Sequence, residues 1–568
     1  MPSELDRRLD AIMDALTAPG GPLETVPFTR DGVTLSAFKA APASLPDLFA
    51  HFCAQHGDAP FLVDGDVRLS FAQTHAIARR VACGLVARHG VRKGDRIGLA
   101  ARNSANWIIV WMAILMAGGC ATLLNGWWTG EELADGVALT GCMMVLADPQ
   151  RAARLDGHEC GAWIVAFDHG APEAGLAPLL PSDDGDECPL PVLCADDLAT
   201  ILFTSGSTGT CKGAVSDQRG AIHGALSYAA QNLMIFTLLG QDGQAPAGQP
   251  STLVNLPLFH VTGEVAVLLL SFIIGRKLVL MPRWDAHEAM RLIEAERITY
   301  FVGVPLMSYE IATHPERDRF DLSSCKFFAA GGAPRPVDHV NRLRTALPHA
   351  YPLLGYGLTE TNAAGCGNYN QNYLAKPGST GPASRPLMEI AAFDATGKAL
   401  PHGQTGEIAI RSLANFRGYW DNPQATTEAF LPDGWFLTGD LGYLDEDGYL
   451  FIVDRKKDVV LRGGENIACI EVEHALYAHP GVAEASVFGL PDARLGEVPV
   501  AVYQPKPGHD VVEEDLRGFV AEQLAAYKVP VRIWRENASL PRLGTEKVDK
   551  RALKARYAID WSGATPQT

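Results

Sequence analysis

Short apolar runs recur along the first two thirds of this chain, most of them followed by a helix-length stretch, and that rhythm narrows the folds available to it. The runs include "RIGLAA" (Arg96–Ala101), "CMMVLAD" (Cys142–Asp148), "LATILFT" (Leu198–Thr204), "STLVNLPLF" (Ser251–Phe259), "KLVLMP" (Lys277–Pro282), "ITYFVGVP" (Ile298–Pro305) and "CKFFAAGG" (Cys325–Gly332). Alternation of strands with helices reads as βαβ units and an α/β fold with parallel sheets, whose strands, covered on both faces, carry near-continuous apolar runs. With 568 residues, 47% of them hydrophobic, the chain can bury a large core.

The pattern then changes. From Gly378 to Val453 the β-like pieces are shorter and punctuated by Asp-Gly or Gly-Glu turns, with "DEDGYLFIV" (Asp445–Val453) as a hairpin signal. This predicts a distorted, barrel-like β part within the large N-terminal domain, residues 1–455. Beyond Asp454 the charge density rises and an α+β order follows: a helix over Ile470–Ala478, the strand "EASVFGL", a helix over Glu513–Tyr527 and the strand "VRIW". Residues 456–568 are therefore expected to form a small C-terminal domain.

Composition excludes several classes. A net charge of -17 leaves no broad basic surface for nucleic acid, so any polyphosphate must be met locally. The cysteines number 11, with no C-x-x-C pair, which argues against a disulfide framework or a zinc site and fits a reducing cytoplasm. "MPSELDRRLDAIMDAL" reads as an amphipathic helix with Leu5, Leu9, Ile12 and Leu16 on one face, without the apolar core of a signal peptide. "WIIVWMAILMAGGCATLL" (Trp107–Leu124) approaches the length of a membrane span, but Gly118 and Gly119 interrupt it and no basic cluster flanks it. A buried helix followed by a core strand is expected there, with no transmembrane segment; peripheral membrane contact stays open.

The run "LATILFT" feeds into "TSGSTGTCKG" (Thr204–Gly213), which resembles a phosphate loop but runs G-x-x-G-x-x-K instead of the Walker spacing. Thr204, Ser205, Gly206, Ser207, Thr208, Gly209 and Lys212 offer hydroxyls, backbone N–H groups and one cation that can surround phosphate oxygens. A solvated Ser/Gly turn is the ordinary alternative, and the loop alone does not decide between them.

Other segments do. In order come "PLFHVTG" (Pro257–Gly263), "AAGGAP" (Ala329–Pro334), "GYGLTET" (Gly355–Thr361), "GEIAIRS", "GYW" at Gly418, "DGWFLTGDLGYLDEDGYLFIVDRKKD" (Asp433–Asp458), "GGENI" (Gly463–Ile467) and "LPRLGTEKVDKRAL" (Leu540–Leu553). With these segments, which span nearly its whole length, the chain resembles the adenylate-forming superfamily of acyl-CoA synthetases, adenylation domains and luciferases.

The resemblance implies an acid:CoA ligase that joins a carboxylate to the α-phosphate of ATP, releases pyrophosphate, and passes the acyl group to coenzyme A. Such chemistry asks for positioned cations and donors more than for a strong base. By resemblance, the Thr204–Lys212 loop follows the β- and γ-phosphates, and Tyr356 stacks on adenine beside Gly357. Gly331, Gly332, Ala333 and Pro334 line the purine. Thr359 contacts the α-phosphate; Glu360, with Thr208, holds Mg²⁺. Asp440 accepts from the ribose hydroxyls with Arg455 in support, Lys547 bridges the carboxylate and the α-phosphate, and His260 orients the acid. Lys457 marks the hinge whose rotation withdraws Lys547 and brings in Gly463, Gly464 and Glu465 beside the pantetheine arm.

Cys211, Glu546 and Cys469 stand where the resemblance leads one to expect proline, glycine and proline, and Trp127–Trp128 is also unusual. A medium- or long-chain fatty acid is the first expectation for the substrate, with aryl, terpenoid or steroid-side-chain acids close behind. An acyl-AMP ligase feeding a carrier protein in trans and a catalytically silent paralogue are the alternatives, and a homodimer stays open.

Overall fold

The computed structural model describes residues 2–181, 188–205, 211–333, 335–543, 547–559 and 561. A large N-terminal domain and a small C-terminal domain make a mixed α/β molecule, and the expected parallel runs form two sheets. In the first, the strands run in the order Gly418–Tyr419, Cys211–Asp217, Leu198–Ser205, Cys120–Leu123, Arg96–Ala100, Met144–Ala147 and Trp163–Ala166. In the second, the order is Gly365–Tyr369, Tyr351–Gly357, Phe327–Gly331, Tyr300–Gly303, Ser251–Val254, Lys277–Leu280, Pro60–Asp64 and Val67–Ser70. Strand Leu198–Ser205 is parallel to Cys120–Leu123 but pairs antiparallel with Cys211–Asp217.

Between the sheets lies the segment that had membrane-like hydropathy. Ser104 caps the helix Ala105–Met116 by accepting from the Trp107 N–H, and all 12 of its residues are buried. The same apolar cluster includes Leu99 and Leu123 of the first sheet and Leu62 and Leu278 of the second. Gly118, at φ +82°, ends the helix and turns the chain into the buried strand Cys120–Leu123. No helix among the described residues is long and apolar enough to cross a membrane.

The barrel-like part is an open, four-stranded antiparallel sheet, Glu389–Phe393, Gly406–Arg411, Phe436–Leu444 and Leu450–Arg455. Its last two strands are the predicted hairpin; Asp445 accepts from the N–H groups of Asp447 and Tyr449 to close the turn. In the small domain, strands Val482–Asp492 and Gly496–Pro505 form a long antiparallel pair covered by helices Cys469–Ala478 and Glu513–Ala521. The second of these is shorter than the expected Glu513–Tyr527; a separate 3-10 turn follows at Ala526–Lys528.

Two further differences from expectation concern cysteine. Cys83, on helix Phe71–Ala87, forms a disulfide with Cys188, while the other nine cysteines are free. Cys469, where the resemblance leads one to expect proline, begins the helix Cys469–Ala478. Its backbone N–H donates to Asp454 and its Sγ lies 3.1 Å from the Asp458 carbonyl oxygen, and a proline could not supply that N–H.

The N-terminal helix Glu4–Thr17 is closed by a Ser3/Asp6 capping box. It lies along the long helix Gln218–Gln241, with Ile12 packed beside Leu238 and Leu239. Arg385 bridges to Asp10 and Asp14 on its outer face.

Candidate functional site

The second sheet delivers its loops to one crevice, outside the carboxyl ends of its parallel strands, where α/β folds bind ligands. Gly331, the last residue of its strand, pairs with Gly355, and the neighbouring strand runs on to Gly357. Gly332 follows at φ +77°, the left-handed region, and a Cβ placed there would meet Lys547 Cε at 3.2 Å. Lys547 therefore lies over the Gly331–Ala333 turn. Gly357 is required by close approach, because a Cβ there would sit 1.9 Å from the Ala363 carbonyl oxygen.

Two carboxylates face this crevice. Asp440 accepts from the Tyr356 hydroxyl at 2.7 Å through Oδ2 and pairs with Arg455 Nε at 2.7 Å through Oδ1. Each carboxylate oxygen keeps a lone pair, so both can still accept from a diol. Glu360, in the short turn Thr359–Thr361, accepts from the Tyr419 hydroxyl at 2.9 Å, and Lys212 Nζ stands 4.8 Å from the centre of the Tyr419 ring. Burial raises the pKa of both acids, against the lowering effect of the Arg455 charge. A cation or a hydroxyl donor supplied by a ligand would stabilise them. Among the described residues no group of three His, Cys, Asp or Glu could hold a metal by itself. The lone Glu360 carboxylate fits a Mg²⁺ that takes most of its ligands from phosphate and water.

The turn after Glu360 is strained and compensated. Asn362 and Ala363 have φ of +48° and +64°, uncommon for residues with a Cβ. The Asn362 side chain donates to the Ala414 carbonyl at 2.8 Å and accepts from Ser216 at 3.1 Å, while the Tyr228 hydroxyl donates to the Ala363 carbonyl at 2.7 Å.

Lys547 and His260 complete the crevice. Burial, then the Arg455 charge, pushes the Lys547 pKa down to about 8, although Asp440 opposes this. Burial and the Lys547 charge lower that of His260 to about 3, so its ring is neutral. Its Nδ1 accepts from the Thr262 N–H at 3.3 Å, which assigns the ring proton to Nε2.

The expected residues thus divide into three groups. Thr359, Glu360, Tyr356, Gly357, Asp440, Arg455, Gly331, Gly332, Ala333, Lys547 and His260 belong to one neighbourhood, and Thr204 and Lys212 stand on the strands that approach it. Gly463 and Gly464 form the exposed turn of the hairpin Val460–Ile467, with Glu465 beside them; Gly463 N–H donates to the Leu495 carbonyl within the small domain. Gly206, Ser207, Thr208, Gly209, Pro334 and Glu546 lie outside the described residues, as does the side chain of Ser205.

Tyr419 lies within "GYW", and nothing local in the sequence signals its role as the partner of Glu360. The same holds for Tyr228, an interior aromatic of a long helix. Trp128 packs edge-on against Phe203 at 5.0 Å, whereas Trp127 is exposed.

A continuous cavity of about 1400 Å³ opens from Gly331, Gly332 and Gly357. It passes between helix Gln218–Gln241 and the strands of the second sheet and reaches the N-terminal helix, where Leu9 and Met13 line it.

Comparison with known proteins agrees with this geometry. The AMP-binding enzyme family matches residues 49–420, and the AMP-binding enzyme C-terminal domain matches residues 471–547. A feruloyl-CoA synthase of Amycolatopsis is 34% identical over 495 residues, 87% of this chain and 95% of the relative. A long-chain-fatty-acid–CoA ligase of Mycobacterium tuberculosis is 32% identical over 501 residues, covering 87% and 94% of the two chains. ATP-bound MatB from Rhodopseudomonas palustris superposes with a TM-score of 0.79 at 29% identity, covering 90% of this chain and 99% of that one. This chain belongs to the AMP-binding enzyme family, and its activity is AMP-forming ligation of an acid to the thiol of coenzyme A.

Proposed function

We propose that the acid is large and hydrophobic, with a medium- or long-chain acyl group as the first substrate class and polycyclic acids of similar bulk next. The observation that carries this reading is the cavity of about 1400 Å³, larger than the ~300–1,000 Å³ of ordinary small-molecule sites. Met234, Ile235 and Phe236 supply apolar wall along its course.

In this reading the substrate carboxylate attacks the α-phosphorus of ATP and pyrophosphate leaves. Lys547 holds its positive charge between the two reacting anions, and Thr359 donates to the α-phosphate. Neutral His260 offers its Nε2–H to the acid. Asp440 and Arg455 anchor the ribose, Tyr356 packs against adenine, and Lys212 follows the outer phosphates. Glu360 would hold Mg²⁺, which when bound draws charge from the phosphate oxygens. In the second step the CoA sulfur attacks the acyl carbonyl and AMP leaves. The rotation expected about Lys457 would bring the Gly463–Gly464 turn to the thiol channel, on a protein that works in the cytoplasm.

The test is ATP–pyrophosphate exchange over acids of increasing size, followed by addition of CoA to those that exchange. Exchange is expected with medium and long acids, and Lys547→Ala should slow it by roughly 10²–10³, the cost of losing one preorganised cation at a developing charge. Exchange confined to acetate-sized acids would sink the large-acid reading. Exchange without thioester formation would point to a carrier protein as the acceptor.

A further inference from the structure

Deep in the acid cavity lies a cation that the reaction does not use. Arg276 borders the cavity and is 2% exposed. Its guanidinium carbon sits 4.6 Å from the centre of the Tyr300 ring, which lines the same cavity. Among the described residues no carboxylate pairs with it, and its Nε and Nη1 have no hydrogen-bond partner. The ring face offers the charge some electrostatic relief but accepts none of these N–H groups. A buried guanidinium without an acceptor is costly, and such groups are ordinarily paired.

The register of the second sheet places this cation along the cavity. Tyr300 pairs with Phe327, which precedes Gly331, at the nucleotide end, by four residues. At about 3.3 Å per residue, the backbone level of Tyr300, whose ring Arg276 faces, lies about 13 Å along the sheet from that of Gly331. An extended acyl chain of about a dozen carbons, or a fused-ring acid of that length, spans such a distance.

We infer that Arg276 reads the far end of the acid, and that the preferred substrate is a long, mostly apolar acid bearing an acceptor oxygen, a carbonyl or a second carboxylate, at the end remote from the carboxylate that is activated. The inference rests on the large-acid reading above and narrows it. A plain fatty acid would leave the guanidinium without an acceptor, whereas a terminal oxygen would take up an N–H that the protein leaves unmet. The gain is one charge-assisted hydrogen bond in a dry site.

The test compares three acids of equal length: dodecanoic acid, dodecanedioic acid, and the keto acid with its carbonyl at the penultimate carbon. Each is assayed by ATP–pyrophosphate exchange with the native enzyme, Arg276→Met and Arg276→Lys. The native enzyme should favour at least one oxygen-bearing acid over dodecanoic acid by at least about tenfold in kcat/KM, through KM. Arg276→Met should abolish that ratio and Arg276→Lys should restore part of it. Preference for the diacid alone identifies a second carboxylate as the ligand, and preference for both identifies any acceptor oxygen. Binding of each acid, measured by calorimetry in the absence of ATP, should show the same order. Equal kcat/KM for the three acids, or a preference that survives Arg276→Met, overturns the inference and leaves the large-acid reading intact. Failure of all three acids to exchange or bind overturns both.

Discussion

Glu264 illustrates how burial alone sets the state of a side chain. It is 1% exposed, accepts from Trp111 Nε1 at 3.1 Å through one oxygen, and has no partner on the other. Burial raises its pKa from 4.5 to about 8, so the folded protein holds it as a neutral acid near neutrality. Because the folded pKa is raised, its contribution to stability is fully present below about 4.5 and is lost as pH rises through about 8. Glu264→Gln keeps the acceptor for Trp111 and removes the titration. The melting temperature of the native protein should therefore fall relative to that of Glu264→Gln between about pH 4.5 and about pH 8 and level off above it. Parallel melting curves over that range would show that Glu264 does not titrate there. Residues of this kind were poorly legible in sequence. Lys547, Asp440 and Glu360 could be named because motifs surround them, but neither Glu264 nor Arg276 sits in a pattern that reports its environment.

At the level of elements, the N-terminal helix Glu4–Thr17 lies outside the residues that match the family, which begin at 49. It nonetheless contributes Leu9 and Met13 to the cavity wall, and Asp6 accepts from the Tyr449 hydroxyl at 2.7 Å to hold the helix in place. Removal of residues 2–17 should open the far end of the cavity. The KM for a long acid is expected to rise about tenfold, the worth of one buried side chain, with the KM for ATP little changed. An equal rise for both substrates would mean that the helix stabilises the domain as a whole and does not shape the acid site. The amphipathic pattern of Leu5, Leu9, Ile12 and Leu16 foretold a helix with one apolar face. Which surface that face covers depends on Leu238, Leu239 and Phe327, more than 200 residues away in the chain.

For the whole molecule, the arrangement in which Lys547 lies over Gly332 while the Gly463–Gly464 turn is exposed suits the adenylation step. In the reading proposed above, thioester formation follows rotation of the small domain about Lys457. Lys457 is exposed in the short turn after Arg455, where the Lys456 N–H donates to the Gly439 carbonyl and the Asp458 and Val459 N–H groups donate to the Arg455 carbonyl, so proline at 457 removes none of these donors. Proline does restrict the backbone on both sides of that position. Lys457→Pro should leave pyrophosphate exchange within about threefold of the native rate and slow thioester formation by about tenfold or more, in keeping with a motion that gates the second step. Loss of both activities together would show that the substitution disturbs the crevice itself.

The sequence alone was enough to specify the α/β architecture, the strand runs and the hairpin at Asp445–Val453, because those properties depend on local periodicity and turn chemistry, and the motif residues could be named by resemblance to a family. It also pointed to the burial of Trp107–Leu124, since its glycine break and missing basic flanks are local. The course of the cavity, the pairing of Glu360 with Tyr419, the contact between Cys469 and Asp454 and the isolation of Arg276 were decided only by the tertiary structure. Each depends on which distant segments the fold brings together, and burial and electrostatic environment belong to that packing and not to any stretch of the chain.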